Sequence, residues 1–565
     1  MSTFTRRHFI GSLGALSAAG SVPGVLAATH GASGAMADEI TGIEKEAAGF
    51  ANPLRLPGSS GLFGVLPVSE FREVQVVRSE IEVLPGRRTP ILAYAVESGG
   101  KTFLNPALLA RRGDEMRVRL INRIDQPTVI HWHGLSVDSR NDGNGLNVVP
   151  PGGSMDYAFS LRDRSSMYWY HPHAHGYIPQ QAYHGLASLL FVEDNDETAL
   201  RKELDLALGD TEIPLVLQDR EFDAQGRLRY APTAAQSFGG WVGDRLLVNL
   251  TERPFIQAGR RIVRFRILNG CNARSYRLAF VQGGRRLGFF LAGTDGGLLA
   301  QPLRIDQTFI SPGQRLDVLV DLREADPGRP VTLASLAFDP MHAEGGHDMA
   351  QAGTAAPAMA GMTGMTGMAG MDHGQHGAAP TAEPSTPMAM EGDARALMRI
   401  DLKPSAPYER RMPTVLSSLP AATTALASPS RRMQLGHNGK GNWTINGGLF
   451  DPKVAALSVR RGARETWLIE NAERSMPHPM HIHGFSFRVI ERLGSPAPVR
   501  ELAGARGLLP ADQGVIDTVH VWPGESVRIA IDFTHPHAGD QDYVFHCHSL
   551  EHAEAGMMLR YTVKA

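Results

Sequence analysis

The sequence holds little cysteine, no strong excess of either charge and no long apolar run after its N-terminal region. Its two cysteines, Cys271 and Cys547, allow at most one disulfide, which excludes a small disulfide-stapled scaffold. No segment after Ala28 approaches the roughly 18 apolar residues that span a bilayer, so no later transmembrane helix is expected. A formal net charge of −2 over 565 residues gives no reason to expect nucleic acid or an anionic membrane as a partner.

The first 28 residues have the features of an export signal. Arg6 and Arg7 precede a short, weakly apolar, glycine-containing segment that ends in the small residues Ala27 and Ala28. A twin arginine in this position is typical of the bacterial Tat signal. We therefore expect the Tat translocase as a partner during export, a periplasmic mature protein, and a polar connector that runs to about residue 70.

Most of the remaining chain alternates short apolar runs with turns of Gly, Pro, Asn and Asp, for example at 115–121 and 526–533. Strands of period two with regular turn signals predict antiparallel β-sandwiches. Similar strand openings follow Gly113, Gly259 and Gly462, so the sequence predicts three copies of one sandwich, with boundaries near residues 198 and 410. Cys271 stands in a strand-like context and is expected to be a buried structural residue.

One internal stretch, residues 341–390, departs from this pattern. It is rich in Met, Gly, Ala, His and Pro and contains neither Lys nor Arg. Glycines recur between its methionines, and each would destabilise a helix by about 1 kcal/mol relative to Ala, so a flexible loop is expected. Five of its methionines are spaced three residues apart: Met359, Met362, Met365, Met368 and Met371.

Histidines occur four times as i, i+2 pairs. On a β-strand such residues point to the same face, so each pair offers two imidazoles to one side. A single pair would more simply be surface or core histidines, but eight imidazoles on four strands suit several transition-metal ions. The pairs are His131 and His133, His171 and His173, His481 and His483, and His546 and His548.

Cys547 stands between the last two of these histidines, so on a strand its sulfur projects to the opposite face. His552 and Met557 follow within ten residues, and His478 lies three residues before His481. A thiolate, two imidazoles and a weak axial Met form the ligand set of a blue-copper electron-transfer site. The sequence thus predicts two adjoining metal sites joined through the backbone at Cys547, which makes this residue catalytic as well as a ligand.

Four segments resemble the signatures of the multicopper oxidase family. They are HisTrpHisGly at 131–134, TrpTyrHisProHisAlaHisGly at 169–176, HisProMetHisIleHisGly at 478–484, and HisCysHis at 546–548 with the His and Met that follow it. The resemblance runs from about residue 55 to the C-terminus. It implies an all-β protein of three cupredoxin-like Greek-key β-sandwich domains, at residues 55–198, 199–410 with the Met-rich insert 341–390, and 411–565.

The same resemblance implies a copper-dependent oxidoreductase that uses dioxygen as acceptor, with a metal cluster at the interface of the first and last domains. It also implies four copper ions: one type 1, one type 2 and a type 3 pair. Their ligands, carried over by position, are Cys547, His478, His552 and Met557 for type 1; His131 and His481 for type 2; and His133, His171, His173, His483, His546 and His548 for type 3.

A proton source is expected near the cluster, because reducing dioxygen to two waters takes four protons as well as four electrons. Asp142, nine residues after His133, stands where the family keeps a buried acid and is the predicted catalytic acid, although it also reads as a turn aspartate. Exported relatives often carry a second acid after the second blue-copper histidine, and here that residue is Ala553. Glu554 follows but would face away on a strand, and His175 is expected to be a hydrogen-bond donor outside the ligand set.

The Met-rich stretch and the twin arginine resemble the copper-resistance branch of the family, the periplasmic cuprous oxidases. Thioethers are soft ligands that select Cu(I), so the five evenly spaced methionines are candidate substrate ligands. Met476 matches a Cu(I)-binding methionine of that branch. The partner carboxylate of that branch is replaced by Arg474, and Glu473 is the nearest acid.

Cu(I) is therefore the expected electron donor, in copper detoxification by a monomeric protein. A laccase-type oxidase of phenols or other small organic reductants is the alternative enzyme, and a periplasmic copper-binding or storage protein is the alternative of another class. A copper-free structural relative and a two-domain nitrite reductase are disfavoured, because the chain carries every ligand of a four-copper enzyme.

Overall fold

The computed structural model of the protein describes residues 25–58, 61–62, 64–340, 390–419 and 428–565. Within these residues no helix combines the length and apolarity needed to cross a bilayer. Short 3-10 turns lie at Val68–Glu70, Ala505–Gly507 and Pro510–Gln513. The α-helices are α1 Val25–Ala48, α2 Ile178–Tyr183, α3 Asn195–Leu204, α4 Ala234–Gly239, α5 Ala497–Arg500 and α6 Leu550–Glu554.

The first sandwich is formed by most of the strands up to Glu193. These strands are β1 Asn52–Pro53, β2 Gly61–Leu62, β3 Val65–Pro67, β4 Glu73–Glu82, β5 Arg88–Ser98, β6 Lys101–Leu104, β7 Ala107–Arg111, β8 Glu115–Asn122, β9 Ile130–His133, β10 Ser154–Ser160, β11 Ser166–Pro172 and β12 Ser188–Glu193. One sheet has the order β10-β8-β4-β5-β6-β2 and the other β3-β7-β12-β11-β9, while β1 joins the next sandwich. Their inner faces share one apolar core, and β9 is the edge strand that turns towards the third sandwich.

The second sandwich carries the strands β13 Glu212–Arg220, β14 Arg245–Val248, β15 Thr251–Glu252, β16 Pro254–Gly259, β17 Ile262–Asn269, β18 Tyr276–Gln282, β19 Arg285–Leu287, β20 Phe289–Thr294, β21 Gly297–Ile305, β22 Thr308–Ile310, β23 Arg315–Asp321, β24 Val331–Ser335 and β25 Arg395–Lys403. Its sheets have the orders β1-β16-β25-β24-β18-β19, with β22 on β18, and β15-β14-β13-β17-β23-β20-β21. Cys271 is buried in this core with its sulfur 3.2 Å from the Tyr276 hydroxyl, as expected of a structural cysteine, and it is not in a disulfide.

The third sandwich carries the strands β26 Arg431–His437, β27 Trp443–Ile445, β28 Ala455–Arg460, β29 Arg464–Asn471, β30 His478–Ile482, β31 Phe487–Leu493, β32 Thr518–Val521, β33 Ser526–Asp532, β34 Gln541–Cys547 and β35 Met558–Lys564. Its sheets have the orders β27-β26-β29-β33-β31 and β28-β35-β34-β30-β32. Cys547 and Met557 belong to the core between these sheets.

The three glycines noted in the sequence mark the same place in each sandwich. Gly113, Gly259 and Gly462 precede β8, β17 and β29. Each of these strands pairs in parallel with β4, β13 or β26, and on its other side it pairs antiparallel with β10, β23 or β33. The predicted all-β architecture of three repeated sandwiches is therefore confirmed, while the exact domain boundaries stay a prediction.

The sequence predicted a polar connector up to about residue 70. This prediction was wrong for the first half of that segment, which forms the helix α1. Ile40, Ile43 and Ala47 of this helix pack against Ala279 and Ala334 of the second sandwich. Apolar residues spaced i, i+3 and i+7 are the pattern of an amphipathic helix, and it was present in the sequence. Tertiary burial of this stripe stabilises a helix that is otherwise rich in polar residues.

Candidate metal centres

The four histidine pairs lie at the ends of four strands from the first and third sandwiches. All eight side chains are at most 1% exposed. Antiparallel pairing sets His171 beside His131, and His481 beside His546. We name this group the eight-histidine cluster: β9 carries His131 and His133, β11 carries His171 and leads into His173, β30 carries His481 and leads into His483, and β34 carries His546 and leads into His548.

One trio within the cluster brings three imidazole nitrogens face to face. Nε2 of His546 lies 3.2 Å from Nε2 of His173 and 3.1 Å from Nε2 of His483. The Nδ1–H of His546 donates to the Cys547 carbonyl, and that of His483 donates to the Asp142 carboxylate. A neutral imidazole carries one proton, so Nε2 of His546 and Nε2 of His483 hold lone pairs that face each other. Lone pairs at this spacing repel each other unless a cation lies among them.

A second trio has the same property. His171 donates from Nδ1 to the Pro172 carbonyl, and His133 donates from Nε2 to the Asp517 carboxylate. Their other nitrogens, Nε2 of His171 and Nδ1 of His133, are 3.3 Å apart. The ring of His548 lies 5.0 Å from His133 and 5.4 Å from His171. Within the described part of the chain, neither buried nitrogen of His548 has a hydrogen-bond partner, which leaves a ligand atom for a metal ion.

The two remaining histidines, His131 and His481, are held in matching ways. His131 donates from Nδ1 to the Asp142 carbonyl at 2.7 Å, and His481 donates from Nδ1 to the Asp517 carbonyl at 2.9 Å. Both Nε2 atoms are buried, and neither has a hydrogen-bond partner among the described residues. Buried polar atoms are rarely left unpaired, so these two nitrogens fit a third ion.

Burial keeps the cluster in the form that binds metal. Desolvation, with repulsion from neighbouring imidazoles or Arg315, lowers the pKa of seven rings well below the ordinary histidine value. Ligation by histidine requires the neutral ring, so the lowered pKa favours metal binding by these seven rings.

A second site lies on the other face of β34. The sulfur of Cys547 is 3.6 Å from Nδ1 of His478 and 3.6 Å from Nδ1 of His552, and the two nitrogens are 3.1 Å apart. Met557 is fully buried, and its carbonyl accepts from the Cys547 amide at 3.0 Å. We name Cys547, His478, His552 and Met557 the cysteine site. Burial raises the pKa of the Cys547 thiol, so a thiolate here needs a bound cation.

Both sites fit copper, because imidazole, thiolate and thioether are the ligand types that copper prefers in proteins. Models of the multicopper oxidase family match residues 90–197 and 424–565. The crystal structure of McoA multicopper oxidase from the hyperthermophile Aquifex aeolicus is 32% identical over 91% of this chain and 99% of that chain, with a TM-score of 0.74. The chain belongs to the multicopper oxidase family. It is therefore a copper-dependent oxidoreductase.

Other relatives of this multicopper oxidase carry names that refer to different functions. Multicopper oxidase mco of Staphylococcus haemolyticus is 27% identical over 81% of both chains. Cell division protein FtsP of Xenorhabdus nematophila is 27% identical over 80% of this chain and 82% of its own. The laccase-like CueO of Ochrobactrum sp., with oxidase activity towards lignin model compounds and lignosulfonate, is 25% identical over 90% of this chain and 100% of that chain, with a TM-score of 0.69.

Asp142 lies inside the eight-histidine cluster, and the loop that carries it requires glycine at position 143. A Cβ atom on Gly143 would stand 1.8 Å from the Ile130 carbonyl oxygen, and Gly143 has a φ of +71°. Asp142 is fully buried; one carboxylate oxygen accepts from His483 at 2.8 Å, and the other has no partner within the described residues. Burial raises the pKa of this carboxyl well above its ordinary value.

The expectation for Glu554 was wrong about its element. Residues 550–554 form α6, not a strand, and Ala553 is buried. The Glu554 carboxylate contacts Nδ1 of His175 at 2.7 Å and accepts from the Gly176 amide. His175 therefore pairs with an acid of the third sandwich, and this pair joins two domains at the cluster.

Asp517 is a residue of the oxidase site that sequence reasoning missed. Asp517 lies just before β32; its carboxylate accepts from His133, and its carbonyl accepts from His481. No local signal separates it from other strand-end aspartates, since its role depends on tertiary packing.

The predicted substrate residue Met476 lines a cleft beside the cysteine site. His552 and Glu391 line the same cleft. Trp443 lies 4.7 Å from the rings of both His478 and His552, and Phe238 of α4 stacks on it at 4.4 Å. Glu391 was also missed, because only folding brings it near His552. The cleft thus offers a soft thioether and a carboxylate next to a type 1 histidine candidate.

The segments on either side of the Met-rich stretch are paired, and the C-terminal one reaches this cleft at Glu391. The Phe338 amide donates to the Gly392 carbonyl at 3.0 Å, so the two ends of the stretch are paired. The Arg274 guanidinium donates to the Met390 carbonyl at 2.8 Å, and the Ser275 amide donates to the Glu391 carboxylate at 2.9 Å. The candidate substrate residues Met359, Met362, Met365, Met368 and Met371 lie outside the described residues.

Proposed function

We propose that the protein is a four-copper oxidase that takes single electrons from Cu(I) at the cysteine site and reduces dioxygen to water at the eight-histidine cluster. His131 and His481 would hold one copper, the two trios would hold a pair, and the cysteine site would hold the fourth. When bound, four coppers cycling between Cu(I) and Cu(II) store the four electrons that convert dioxygen into two waters.

The chain's own residues have separate tasks in this proposal. Cys547 joins the two sites, because its peptide neighbours His546 and His548 belong to the cluster. Asp142 orients His483 through one carboxylate oxygen and keeps the other available to a proton. The carbonyls of Asp142 and Asp517 fix the Nδ1 tautomer of His131 and His481, which keeps Nε2 ready to bind metal.

The observation that carries the choice of Cu(I) is the cleft lined by Met476, Glu391 and His552. A thioether selects Cu(I), and a carboxylate stabilises its charge. Arg474 replaces the acid that the copper-resistance branch carries next to Met476. Glu391, held against the Ser275 amide, supplies an acid at the same cleft from another part of the chain.

Small organic donors are the second candidate, favoured by the likeness to the laccase-like CueO of Ochrobactrum sp.. The donors are separated by steady-state oxygen consumption with Cu(I), Fe(II) and a substituted phenol, each with and without added Cu(II). We expect the highest kcat/KM with Cu(I). Faster turnover of the phenol would favour the laccase activity, and no oxygen consumption with any donor would favour a copper-binding or storage protein.

Met476→Leu and Glu391→Gln test the cleft directly. Losing either of the two proposed Cu(I) ligands should lower kcat/KM for Cu(I) by about tenfold, which is roughly 1.4 kcal/mol. Phenol turnover should be unchanged, because an outer-sphere donor needs neither group. An equal loss with both donors would contradict a Cu(I) site in this cleft.

We further propose that the Tat pathway exports the protein to the periplasm. The twin arginine Arg6 and Arg7 supports this, together with Ala27 and Ala28 at the small-residue end of the signal. Replacing both arginines by Lys should retain the precursor in the cytoplasm, as measured by cell fractionation. Export of the doubly substituted chain at the normal level would contradict the Tat route.

A further inference from the structure

The second sandwich supplies none of the ligands proposed for the four coppers of the enzyme, yet two of its side chains reach the eight-histidine cluster. Arg315 begins β23, and Asp295 lies in the turn between β20 and β21. Arg315 is 2% exposed and Asp295 is 1% exposed. Both side chains point to the same segment of the third sandwich, Asp517 and Thr518.

Arg315 uses all five of its N–H donors. Nη1 donates to Asp517 Oδ1 at 2.9 Å and Nη2 donates to Asp517 Oδ2 at 2.6 Å, which is the forked pairing that fixes a carboxylate in one plane. The remaining donors bind the carbonyls of Gly313, Asp295 and Met167. Since Met167 belongs to the first sandwich, this one guanidinium joins all three sandwiches.

Asp295 holds the backbone of the same segment. Its Oδ2 accepts from the amides of Asp517 at 3.1 Å and Thr518 at 3.2 Å. Its Oδ1 accepts from the Arg315 amide at 2.7 Å. The Asp517–Thr518 peptide therefore cannot shift without breaking hydrogen bonds to the second sandwich.

Asp517 in turn orients one histidine of the first sandwich and one of the third. Its Oδ1 accepts from Nε2 of His133 at 3.0 Å, which directs Nδ1 of that ring to His171. Its carbonyl accepts from Nδ1 of His481 at 2.9 Å, which leaves Nε2 for a metal. Partners of this kind set the tautomer and the orientation of a metal-binding imidazole.

We propose that Arg315 and Asp295 are positioning residues of the eight-histidine cluster: they fix the Asp517 carboxylate and peptide, and through them the metal-binding nitrogens of His133 and His481. The inference rests on the proposed function, because it takes these histidines as copper ligands. The second sandwich, which holds none of the four coppers of the proposed enzyme, thereby has a role at the reaction centre. The simpler role for Arg315 is charge compensation for buried Asp517, and this role predicts a loss of stability only.

Arg315→Met removes the paired hydrogen bonds to the Asp517 carboxylate and keeps much of the side-chain volume. We expect the cluster to lose copper affinity by roughly 10- to 100-fold, the usual cost of removing the group behind a metal-bound histidine. Copper retained by the purified full chain against a chelator series measures this loss, and the EPR hyperfine splitting of the non-blue copper reports the ligand geometry. The blue absorption of the cysteine site, which contacts neither residue, is the reference for folding in the same molecule.

Arg264→Met is the matched control, because Arg264 is an equally buried arginine of the second sandwich that pairs with Glu197 and Asp317 and with no cluster residue. It should lower the thermal midpoint and leave the cluster affinity unchanged. If Arg315→Met does not fold, the milder Asp295→Asn is expected to lower the cluster affinity in the same assay. Wild-type cluster affinity and EPR splitting in the folded Arg315 or Asp295 variant would overturn the proposal. A wild-type protein that loads no non-blue copper would instead overturn the proposed function.

Discussion

At the scale of single residues, the hydrogen bonds of each imidazole decide which of its two nitrogens is left to bind metal. Backbone carbonyls of Asp142, Pro172, Asp517 and Cys547 accept from Nδ1 of four cluster histidines. Each carbonyl turns the opposite nitrogen, with its lone pair, towards the centre. The sequence shows the histidines but not these acceptors, because two of the four come from segments remote from the histidine that they bind.

Cys547→Ser should abolish the blue colour and the oxidase activity. Charge transfer from a thiolate gives the colour, and Cys547 is the one cysteine within reach of His478 and His552, since Cys271 is buried in another sandwich. Copper analysis should find the cysteine-site copper lost and the cluster copper retained. A variant that keeps the intense blue absorption would contradict the site assignment.

Asp142→Asn should slow dioxygen reduction by roughly 100-fold, the usual contribution of a positioned acid, without removing copper. The amide oxygen can still accept from His483, but the group has no acidic proton to transfer. Turnover and copper content are measured across the pH range. Asp163→Asn is a control in the same sandwich, because the Asp163 carboxylate accepts from the Ser136 amide rather than from a cluster histidine. Wild-type turnover of Asp142→Asn at every pH would make Asp142 an ordinary turn residue.

At the scale of elements, the period of two along a strand was enough to predict that paired histidines face one side and Cys547 the other. The same reasoning failed after residue 549, where α6 replaces the expected strand and directs Glu554 to His175. Before residue 50, where the sequence predicted a polar connector, the structure instead has α1. α6 is short and α1 is only weakly apolar, so packing against other elements stabilises both helices.

The Met-rich stretch is the element whose removal separates the two candidate donors. Because Phe338 and Gly392 are already hydrogen-bonded, a short Gly/Ser linker can replace residues 341–389 without strain in the fold. If the stretch concentrates Cu(I) at the cleft, turnover at limiting Cu(I) should fall about tenfold or more. If the stretch also restricts access to the cleft, bulky phenols should be oxidised faster in the replacement variant.

The thermal midpoint of this replacement variant should stay nearly unchanged, since a stretch so rich in Gly and Ala has few large side chains to bury. This measurement separates lost function from lost folding. Unaltered turnover with both Cu(I) and the phenol would make the stretch a linker only.

At the scale of the whole molecule, the repeat of strand openings after Gly113, Gly259 and Gly462 predicted three sandwiches. The sequence could not show how the three meet. Contacts such as Arg315 with Asp517, and Asp142 with His483, join residues more than 200 positions apart. Such pairs carry no local pattern, so the role of the second sandwich at the cluster appears only in the folded chain.

The proposed oxidase couples four one-electron oxidations to the reduction of one dioxygen. The most direct test is the ratio of Cu(I) oxidised to dioxygen consumed by the copper-loaded protein, with hydrogen peroxide measured in the same reaction. We predict four Cu(I) for each dioxygen and no released peroxide. A ratio of two with an equivalent of peroxide would contradict the claim.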